Sequence, residues 1–229
     1  MTSVNFTKMN GLGNDFVILD YDEYIKTGIE PDKLAVKLCN RNFGIGADGL
    51  IIINPNTKKA DISWIFYNSD GSTAQMCGNG IRCFARYVYD KKIIERKEFS
   101  VETMAGIIVP EIISGNEVRV NMGMPILELA EIPCKSEFNL NIPYEIDDKK
   151  FLLNAVSMGN PHCIIFVEKD SKEYALKYGS TIENDSLFPE KTNVEFVEVL
   201  SKNEVIINVW ERGCGITLAC GTGACATTV

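Results

Sequence analysis

The sequence Cys77-Gly-Asn-Gly80 recurs as Cys220-Gly-Thr-Gly223, and this repetition decides how we interpret the fold. A second motif, Gly13-Asn14, recurs in the same order as Gly159-Asn160. The two copies of each motif are separated by nearly the same length of chain. Ordered motifs that recur at a common spacing indicate an internal repeat. We therefore predict two pseudo-equivalent halves, each presenting one Cys-Gly-x-Gly turn.

Hydrophobic patterns around these turns predict both strands and helices. A helix is expected to start at Pro31 and to end by Gly44-Ile-Gly46, a second covers 81–90, and a third opens near Thr222. The Gly-Pro break at Gly123-Met-Pro125 is the candidate boundary between domains 1–121 and 122–229. Strands are predicted at 15–20, 50–53, 62–67, 99–103, 107–109, 118–120, 155–157, 163–167, 194–199 and 205–210.

The overall composition excludes two classes of partner. The chain has 229 residues, of which 45% are hydrophobic and 24% charged, as in ordinary globular proteins. No stretch approaches the ~18–20 apolar residues that a membrane span needs, so we expect no membrane insertion. The net charge of -8 disfavours nucleic acid, because proteins that bind its phosphates carry clustered Lys and Arg.

The chain pairs 8 Cys with 1 His. The first residues lack the basic start and apolar run of a secretory signal, so we expect the reducing cytoplasm and no disulfide framework. A single His cannot build the usual zinc sets that contain several His, and no Cys-x-x-Cys occurs. We therefore expect no metal site.

The two Cys-Gly-x-Gly turns carry the chemistry. Each precedes a helix-forming run, so each cysteine should sit at a helix N-terminus, where the dipole lowers the pKa of a thiol. The glycines let backbone N–H groups approach a bound carboxylate. Two such turns acting on one α-carbon suit inversion of an amino acid: Cys77 or Cys220 removes the proton from one face, and the other thiol delivers a proton to the opposite face. No cofactor is required.

The energetics of this reaction demand more than two thiols. If the α-carbon acid is ten or more pKa units weaker than a thiol, the deficit exceeds about 14 kcal/mol. One preorganised donor to a developing oxyanion supplies roughly 3–4 kcal/mol. We therefore expect several N–H donors in a site that excludes water, formed by hinged closure of the two halves. The remaining cysteines are interpreted as packing residues: Cys39, Cys83, Cys134, Cys163, Cys214 and Cys225.

Polar residues beside the predicted strands form a candidate pocket. Asn68 and Glu211 precede the cysteine of their own half by the same number of residues. Arg212 could clamp a second carboxylate bidentately, and an exposed surface charge is the alternative. Asparagines are common in turns and a lone His is often a satisfied core or loop residue, so these alternatives stay open. The other members of the pocket are Asn14, Asn160, His162 and Asn193.

Several segments, in order along nearly the whole chain, closely resemble the diaminopimelate epimerase family. Met9-Asn-Gly-Leu-Gly-Asn-Asp-Phe16, Met76-Cys-Gly-Asn-Gly-Ile-Arg-Cys83 and Ala219-Cys-Gly-Thr-Gly-Ala224 carry it, together with 44–48, 67–71, 158–162, 192–194 and 211–213. The resemblance implies an α+β fold of two pseudo-symmetric domains, each a curled, mostly antiparallel sheet around a central helix. It also implies a cofactor-independent, two-base epimerase that converts L,L-diaminopimelate to the meso form for lysine and cell-wall synthesis.

The resemblance also implies roles for individual residues. Cys77 and Cys220 match the acid–base thiols. The turn that holds the reacting carboxylate matches Gly78, Asn79, Gly221 and Thr222. Substrate-binding positions match Asn14, Asn68, Asn160, Asn193, Glu211 and Arg212. The thiol-tuning neighbours match His162 and Glu211.

The resemblance further implies a cytoplasmic homodimer, and strands that follow the second helix, which this chain is expected to lack. Two positions depart from the family pattern: Gly49 stands where some members have a substrate-contacting Gln, and Ile216 replaces a common Glu.

Three other functions stay open at this point. Proline, hydroxyproline or histidine racemases share facing cysteines, but a small cyclic substrate would leave Arg212 and its asparagines unpaired, at roughly 1–3 kcal/mol each. A thiol–disulfide or metal-buffering protein would exchange no α-proton. A pyridoxal-dependent racemase would carry a lysine-linked chromophore.

Overall fold

The computed structural model describes residues 3–73 and 76–229. The chain divides into two compact units, Met1–Asn121 and Met122–Val229, and each contains its own six-stranded sheet. No helix in the described ranges is long and apolar enough to cross a membrane.

The sheet of the first unit follows the order of its strands along the chain, β1 to β6. Strands β2 and β3 pair in parallel, as do β4 and β5, and the other neighbours are antiparallel. The strands are β1 (Thr7–Gly11), β2 (Asn14–Asp20), β3 (Gly49–Asn54), β4 (Ile62–Asn68), β5 (Val101–Thr103) and β6 (Gly106–Ile108). The helices are α1 (Tyr21–Thr27), α2 (Pro31–Cys39) and α3 (Gly78–Asp90), and a separate hairpin pairs β7 (Pro110–Ile112) with β8 (Val118–Val120).

Helices cover both faces of this first sheet. Successive side chains of a strand point to opposite faces, so β2 sends Phe16 and Ile18 toward α3 and sends Val17 and Leu19 toward α2. Helix α3 contacts β1, β2, β3 and the β7–β8 hairpin, which makes it the central helix of the unit. A sheet buried on both faces explains why β2 and β3 are almost continuously apolar in sequence.

The second unit repeats this arrangement. Its sheet has the order β14-β13-β12-β11-β10-β9, with β11 and β12 parallel and the other neighbours antiparallel. The elements are β9 (Ile142–Ile146), β10 (Lys149–Ser157), β11 (Pro161–Val167), α4 (Ser171–Glu183), β12 (Asn193–Ser201), β13 (Glu204–Glu211), β14 (Gly215–Thr217) and α5 (Gly221–Thr227), with a 3-10 turn at Leu129–Glu131.

The two units share one plan. Strands β1–β4 correspond to β10–β13, α2 corresponds to α4, and α3 corresponds to α5. Helix α4 packs Ala175, Tyr178 and Ile182 on one sheet face. Helix α5 packs Ala226 on the other, against Ile164. The predicted α+β fold with two pseudo-symmetric halves is confirmed.

Most predicted elements are present, although some bounds moved. The helix that starts at Pro31 ends at Cys39, well before the Gly44-Ile-Gly46 turn. Strand β10 starts at Lys149, whereas the sequence predicted a strand only over its last three residues, 155–157. The sequence analysis did not identify β1, α1, α4, β7, β9 or β14.

Candidate active site

The first Cys-Gly-x-Gly turn caps helix α3. Cys77 is the N-cap residue with an extended backbone, and the N–H of Gly80 donates to its Sγ at 3.3 Å. The apolar side of α3, which includes the fully buried Ile81 and Phe84, anchors the helix in the core of the unit. The thiol is therefore held at the N-terminus of a helix, as the sequence predicted.

Asn14 meets this thiol from the sheet. The Cys77 thiol donates to Asn14 Oδ1 across 3.6 Å, and Asn79 Nδ2 donates to the same oxygen at 3.4 Å. Asn14 Nδ2 in turn donates to Asp48 Oδ2 at 2.8 Å. Because one amide holds both residues of the turn, Asn14, Cys77 and Asn79 form a single polar group in the first unit.

Two charged groups support this polar group, and the sequence analysis identified neither. Arg82 donates to Asn79 Oδ1 at 2.7 Å and to the carbonyl oxygen of Gly78 at 2.9 Å. Asp48 also accepts from Arg41, at 2.7 Å. Arg82 follows Asn79 at the i,i+3 spacing that brings helical side chains together, and this was the available signal.

The second turn caps helix α5 in the same way. Cys220 is the N-cap residue, and the N–H of Gly223 donates to its Sγ at 3.3 Å. Thr222 Oγ1 lies 3.4 Å from the same sulfur, and Asn160 Nδ2 donates to this hydroxyl oxygen at 3.3 Å. Asn160, Thr222 and Cys220 thus repeat the Asn14, Asn79 and Cys77 arrangement within the second unit.

Beneath the second turn lies a buried pair, His162 and Glu195. Both side chains are 0% exposed, and His162 Nδ1 lies 2.7 Å from Glu195 Oε1. His162 Nε2 lies 3.1 Å from Asn160 Oδ1, so the ring joins the network that ends at Cys220. Glu195 was not predicted. Its signal was a carboxylate inside an otherwise apolar strand, which normally stays buried only with a partner.

The prediction of a lowered pKa is wrong for Cys220. Burial, together with the nearby carboxylates of Glu211 and Glu195, raises the pKa of this thiol to about 12. Hydrogen bonds from Thr222 and the N–H of Gly223 act in the opposite direction and are outweighed. Sequence reasoning considered the helix terminus alone and had no information on how deeply the thiol is buried.

The remaining candidate residues lie at the strand ends that lead to each turn. Asn68 ends β4 and donates to Ser72 Oγ at 3.0 Å. Glu211 ends β13 and accepts from Thr217 Oγ1 at 2.5 Å. The structure therefore places both at the equivalent end of the equivalent strand.

Asn193 and Arg212 contact each other through the backbone. Asn193 Oδ1 accepts from the N–H of Arg212 at 2.9 Å, and its Nδ2 donates to the carbonyl oxygen of Pro161 at 2.9 Å. The residue Arg212 is exposed, and its guanidinium donates to the carbonyl oxygen of Glu190 at 3.2 Å. Asn193 thus fixes the backbone from which the arginine extends.

Five of the other six cysteines are at least partly buried. Cys39, Cys83 and Cys163 are buried, and burial raises the pKa of Cys39 and of Cys83 to about 11. Cys134 and Cys225 are partly buried. The packing prediction is wrong for Cys214, which is exposed because it lies in the turn between β13 and β14. All eight thiols are free of disulfide bonds.

Comparison with known proteins identifies the family. The model of the family described as diaminopimelate epimerase matches residues 6–128 and 154–229. The chain belongs to the diaminopimelate epimerase family.

Curated members of the family match almost the whole chain. The diaminopimelate epimerase of Carboxydothermus hydrogenoformans is 54% identical over 99% of this chain and 83% of its own length. That of Halothermothrix orenii is 49% identical over 99% of this chain and 82% of its own length. The resemblance inferred from the short motifs is confirmed.

Solved structures show the same fold at low sequence identity. A hydroxyproline epimerase from Agrobacterium vitis matches with a TM-score of 0.66 at 13% identity, covering 97% of this chain and 75% of its own. A PhzF-family phenazine biosynthesis protein from Bacillus anthracis matches with a TM-score of 0.65 at 16% identity, covering 98% and 78%. The diaminopimelate epimerase family thus shares its fold with proteins of other names.

The structure shows what surrounds Gly49 and Ile216, the two positions expected to depart from the family pattern. A Cβ at Gly49 would lie 2.7 Å from the ring of Phe66 and 2.9 Å from the carbonyl oxygen of Tyr67. Position 49 therefore has no space for a side chain unless Phe66 or Tyr67 shifts. Ile216 lies in β14 and is 40% exposed, so its side chain does not contribute to a core.

Proposed function

We propose that this protein is a diaminopimelate epimerase that interconverts the L,L and meso isomers without a cofactor. The observation that carries the proposal is the duplicated thiol: Cys77 and Cys220 each cap a helix, and each lies in a network that includes a repeated asparagine, Asn14 or Asn160. The curated relatives named diaminopimelate epimerase support the choice of substrate.

In the proposed reaction the two thiols exchange roles. One thiolate accepts the α-proton, and the thiol on the opposite face donates its own proton to the α-carbon, so the substrate is inverted with no net change in protons. The raised pKa of Cys220 favours its protonated form in the resting protein. Because the interconversion is reversible, the thiol that acts as the acid in one direction acts as the base in the other. The protonated Cys220 has its proton available to donate in the resting protein.

The other site residues bind the substrate or tune the thiols. We propose that the reacting carboxylate is bound by backbone N–H groups of the two turns, at Gly78, Asn79, Gly221 and Thr222. The far amino-acid end of the substrate is bound in this proposal by Asn14, Asn68, Asn160, Asn193 and Arg212. Glu211 also contributes to the substrate site, and with His162 it tunes the thiols.

The two halves, 1–121 and 122–229, would each contribute one thiol and close around the substrate. Separate hydrophobic cores in the two units support such a motion, because each half keeps its own packing. Closure would exclude water and strengthen the hydrogen bonds to the developing negative charge.

We also propose that the protein is a cytoplasmic homodimer that acts in lysine and peptidoglycan precursor synthesis. Light scattering after size-exclusion chromatography measures the mass of the particle and so tests the dimer.

Epimerization in deuterated water tests the proposed function. With L,L-diaminopimelate we expect loss of the α-proton NMR signal and formation of the meso isomer. The Cys77→Ala and Cys220→Ala variants should each lose at least about 100-fold in rate, because each removes an acid–base group. Cys214→Ala, which changes the exposed thiol, should keep the wild-type rate.

Other outcomes would contradict the proposal. Exchange with proline, hydroxyproline or histidine, and none with diaminopimelate, would refute the substrate. Near-normal epimerization by either Cys77→Ala or Cys220→Ala would refute two-base catalysis.

A further inference from the structure

The two units differ in the polarity of a pair of core positions beneath their cysteine turns. His162 and Glu195 lie on the face of β11 and β12 that meets α5. By strand order and register, the equivalent positions of β2 and β3 hold Phe16 and Ile51, which are buried beneath α3. The first thiol therefore lies above an apolar core, and the second lies above a buried polar pair.

The hydrogen bonds of His162 fix where its protons can be. In this structure Nε2 lies 3.1 Å from Asn160 Oδ1, and an amide oxygen can only accept, so the contact is a hydrogen bond in the form of the ring that carries a proton on Nε2. The donation from Asn160 Nδ2 to Thr222 Oγ1 supports this orientation of the amide. Nδ1 lies 2.7 Å from Glu195 Oε1, a distance at which two unprotonated acceptors would repel each other. That contact therefore also contains a proton, either on the ring or on the carboxyl group.

We propose that Glu195 is a positioning residue for the second acid–base thiol. It holds Nδ1 of His162, so that the ring presents Nε2–H to Asn160. Asn160 then orients the hydroxyl of Thr222, which contacts the sulfur of Cys220. This proposal rests on the proposed function, because it gives Glu195 a role in the step that Cys220 performs.

The surroundings of Glu195 leave its carboxyl group little freedom. A Cβ at Gly223 would come within 2.5 Å of Oε1, so the second glycine of the Cys-Gly-Thr-Gly turn makes room for this oxygen. The other oxygen, Oε2, is buried and has no hydrogen-bond partner among the described residues. Burying an unpartnered carboxylate oxygen costs stability, so this carboxyl group calls for an explanation other than the stability of the fold.

The single histidine allows a direct test that needs no substrate. Every imidazole signal of the protein comes from His162, because the chain contains 1 His. In the 15N-labelled wild-type protein we expect two-bond couplings that identify Nε2 as a protonated nitrogen. A ring without a proton on Nε2 would overturn the proposal, whether or not the protein epimerizes diaminopimelate.

Three substitutions test the link to catalysis. Glu195→Gln can still donate a hydrogen bond to Nδ1, so it should keep the Nε2–H form and most of the activity. Glu195→Leu should release the ring, alter its nitrogen signals, and lower kcat by about 10- to 100-fold with little change in KM, the scale expected when a reacting group is misplaced. Glu198→Leu, three positions further along β12 where Glu198 contacts Ser171, should leave the His162 signals and kcat unchanged.

The variants also distinguish a structural role from a positioning role. If Glu195→Leu lowers only the melting temperature, and its His162 signals and kcat match those of Glu198→Leu, the proposal is wrong. If Glu195→Leu fails to fold, the wild-type and Glu195→Gln spectra still decide the matter, because both must show a protonated Nε2.

Discussion

Cys77 and Cys220 cap their helices in the same way, yet their neighbours differ. Cys77 donates to Asn14 Oδ1, an uncharged acceptor. Cys220 lies near the carboxylates of Glu211 and Glu195, which together with burial raise its pKa. The repeat therefore provides two similarly placed thiols, and their surroundings make them chemically unequal.

Alkylation by iodoacetamide measures the second thiol directly. With a pKa of about 12, only ~10⁻⁴ of Cys220 is thiolate at pH 8, and the thiolate is the reactive form. We expect its alkylation rate, followed by peptide mass spectrometry, to be still rising at pH 10. A rate that levels off below pH 8 would contradict the raised pKa. Exposed Cys214 in the same samples shows that the reagent is active.

Sequence could identify some of these residues because they lie in repeated motifs. The recurrence of Cys-Gly-x-Gly singled out Cys77 and Cys220, and the equal spacing of Asn68 and Glu211 placed both at strand ends. Glu195 could not be found in this way, because its importance depends on β11 and β12 pairing in parallel and bringing it to His162. The pKa of Cys220 also depended on burial that no short motif reports.

At the scale of elements, helix α4 shows how one glycine sets a packing distance. A Cβ at Gly179 would lie 2.5 Å from Cβ and 2.7 Å from Cγ of Trp210 on β13. Trp210 also donates from Nε1 to Glu183 Oε2 at 2.7 Å, which fixes the ring beside the helix. The helix therefore lies against the sheet only because position 179 has no side chain.

Replacing this glycine should destabilise the protein, although alanine is the better helix former. Gly→Ala inside a helix normally gains about 0.5–1 kcal/mol. We expect Gly179→Ala instead to lower the free energy of unfolding by about 1–3 kcal/mol, because the added methyl group overpacks the interface. Urea denaturation measures it. Ser180→Ala, at the exposed neighbouring position, is the control and should be neutral or slightly stabilising; a similar gain at Gly179 would contradict the close packing.

The elements that sequence predicted well are those buried on a continuous face. Helix α3 was predicted from Ile81, Phe84, Ala85 and Val88, and all four are fully buried. Strand β1 was missed because Thr7–Gly11 is a polar strand at the edge of the sheet. Helix α4 was missed because its buried residues include polar and small ones such as Ser171, Gly179 and Glu183, which weaken the hydrophobic pattern.

At the scale of the whole molecule, each unit contains one tryptophan. Trp64 belongs to the core beneath α3, and its ring meets Phe84 edge-to-face at 5.8 Å between centroids. Trp210 packs against the core of the second unit. Variants with a single tryptophan, Trp64→Phe or Trp210→Phe, therefore report the unfolding of one unit at a time.

A core substitution in the first unit should act mainly on that unit. Phe84→Ala removes a fully buried ring and should cost about 3–5 kcal/mol. We expect the urea transition reported by Trp64 to move further than that reported by Trp210. Ile25→Ala, at a half-exposed position of α1, is the control and should move neither appreciably. Equal shifts of both transitions after Phe84→Ala would show that the units unfold as one cooperative block.

The contrast between Phe16 with Ile51 and His162 with Glu195 also means that neither unit can exchange these residues one at a time. A single exchange would leave one polar side chain buried against an apolar neighbour, and an unpaired buried charge costs about 3–5 kcal/mol. That is a large share of the stability of an ordinary domain. The two core positions of each unit therefore behave as one coupled pair, and a graft of the polar pair into the first unit needs both changes together.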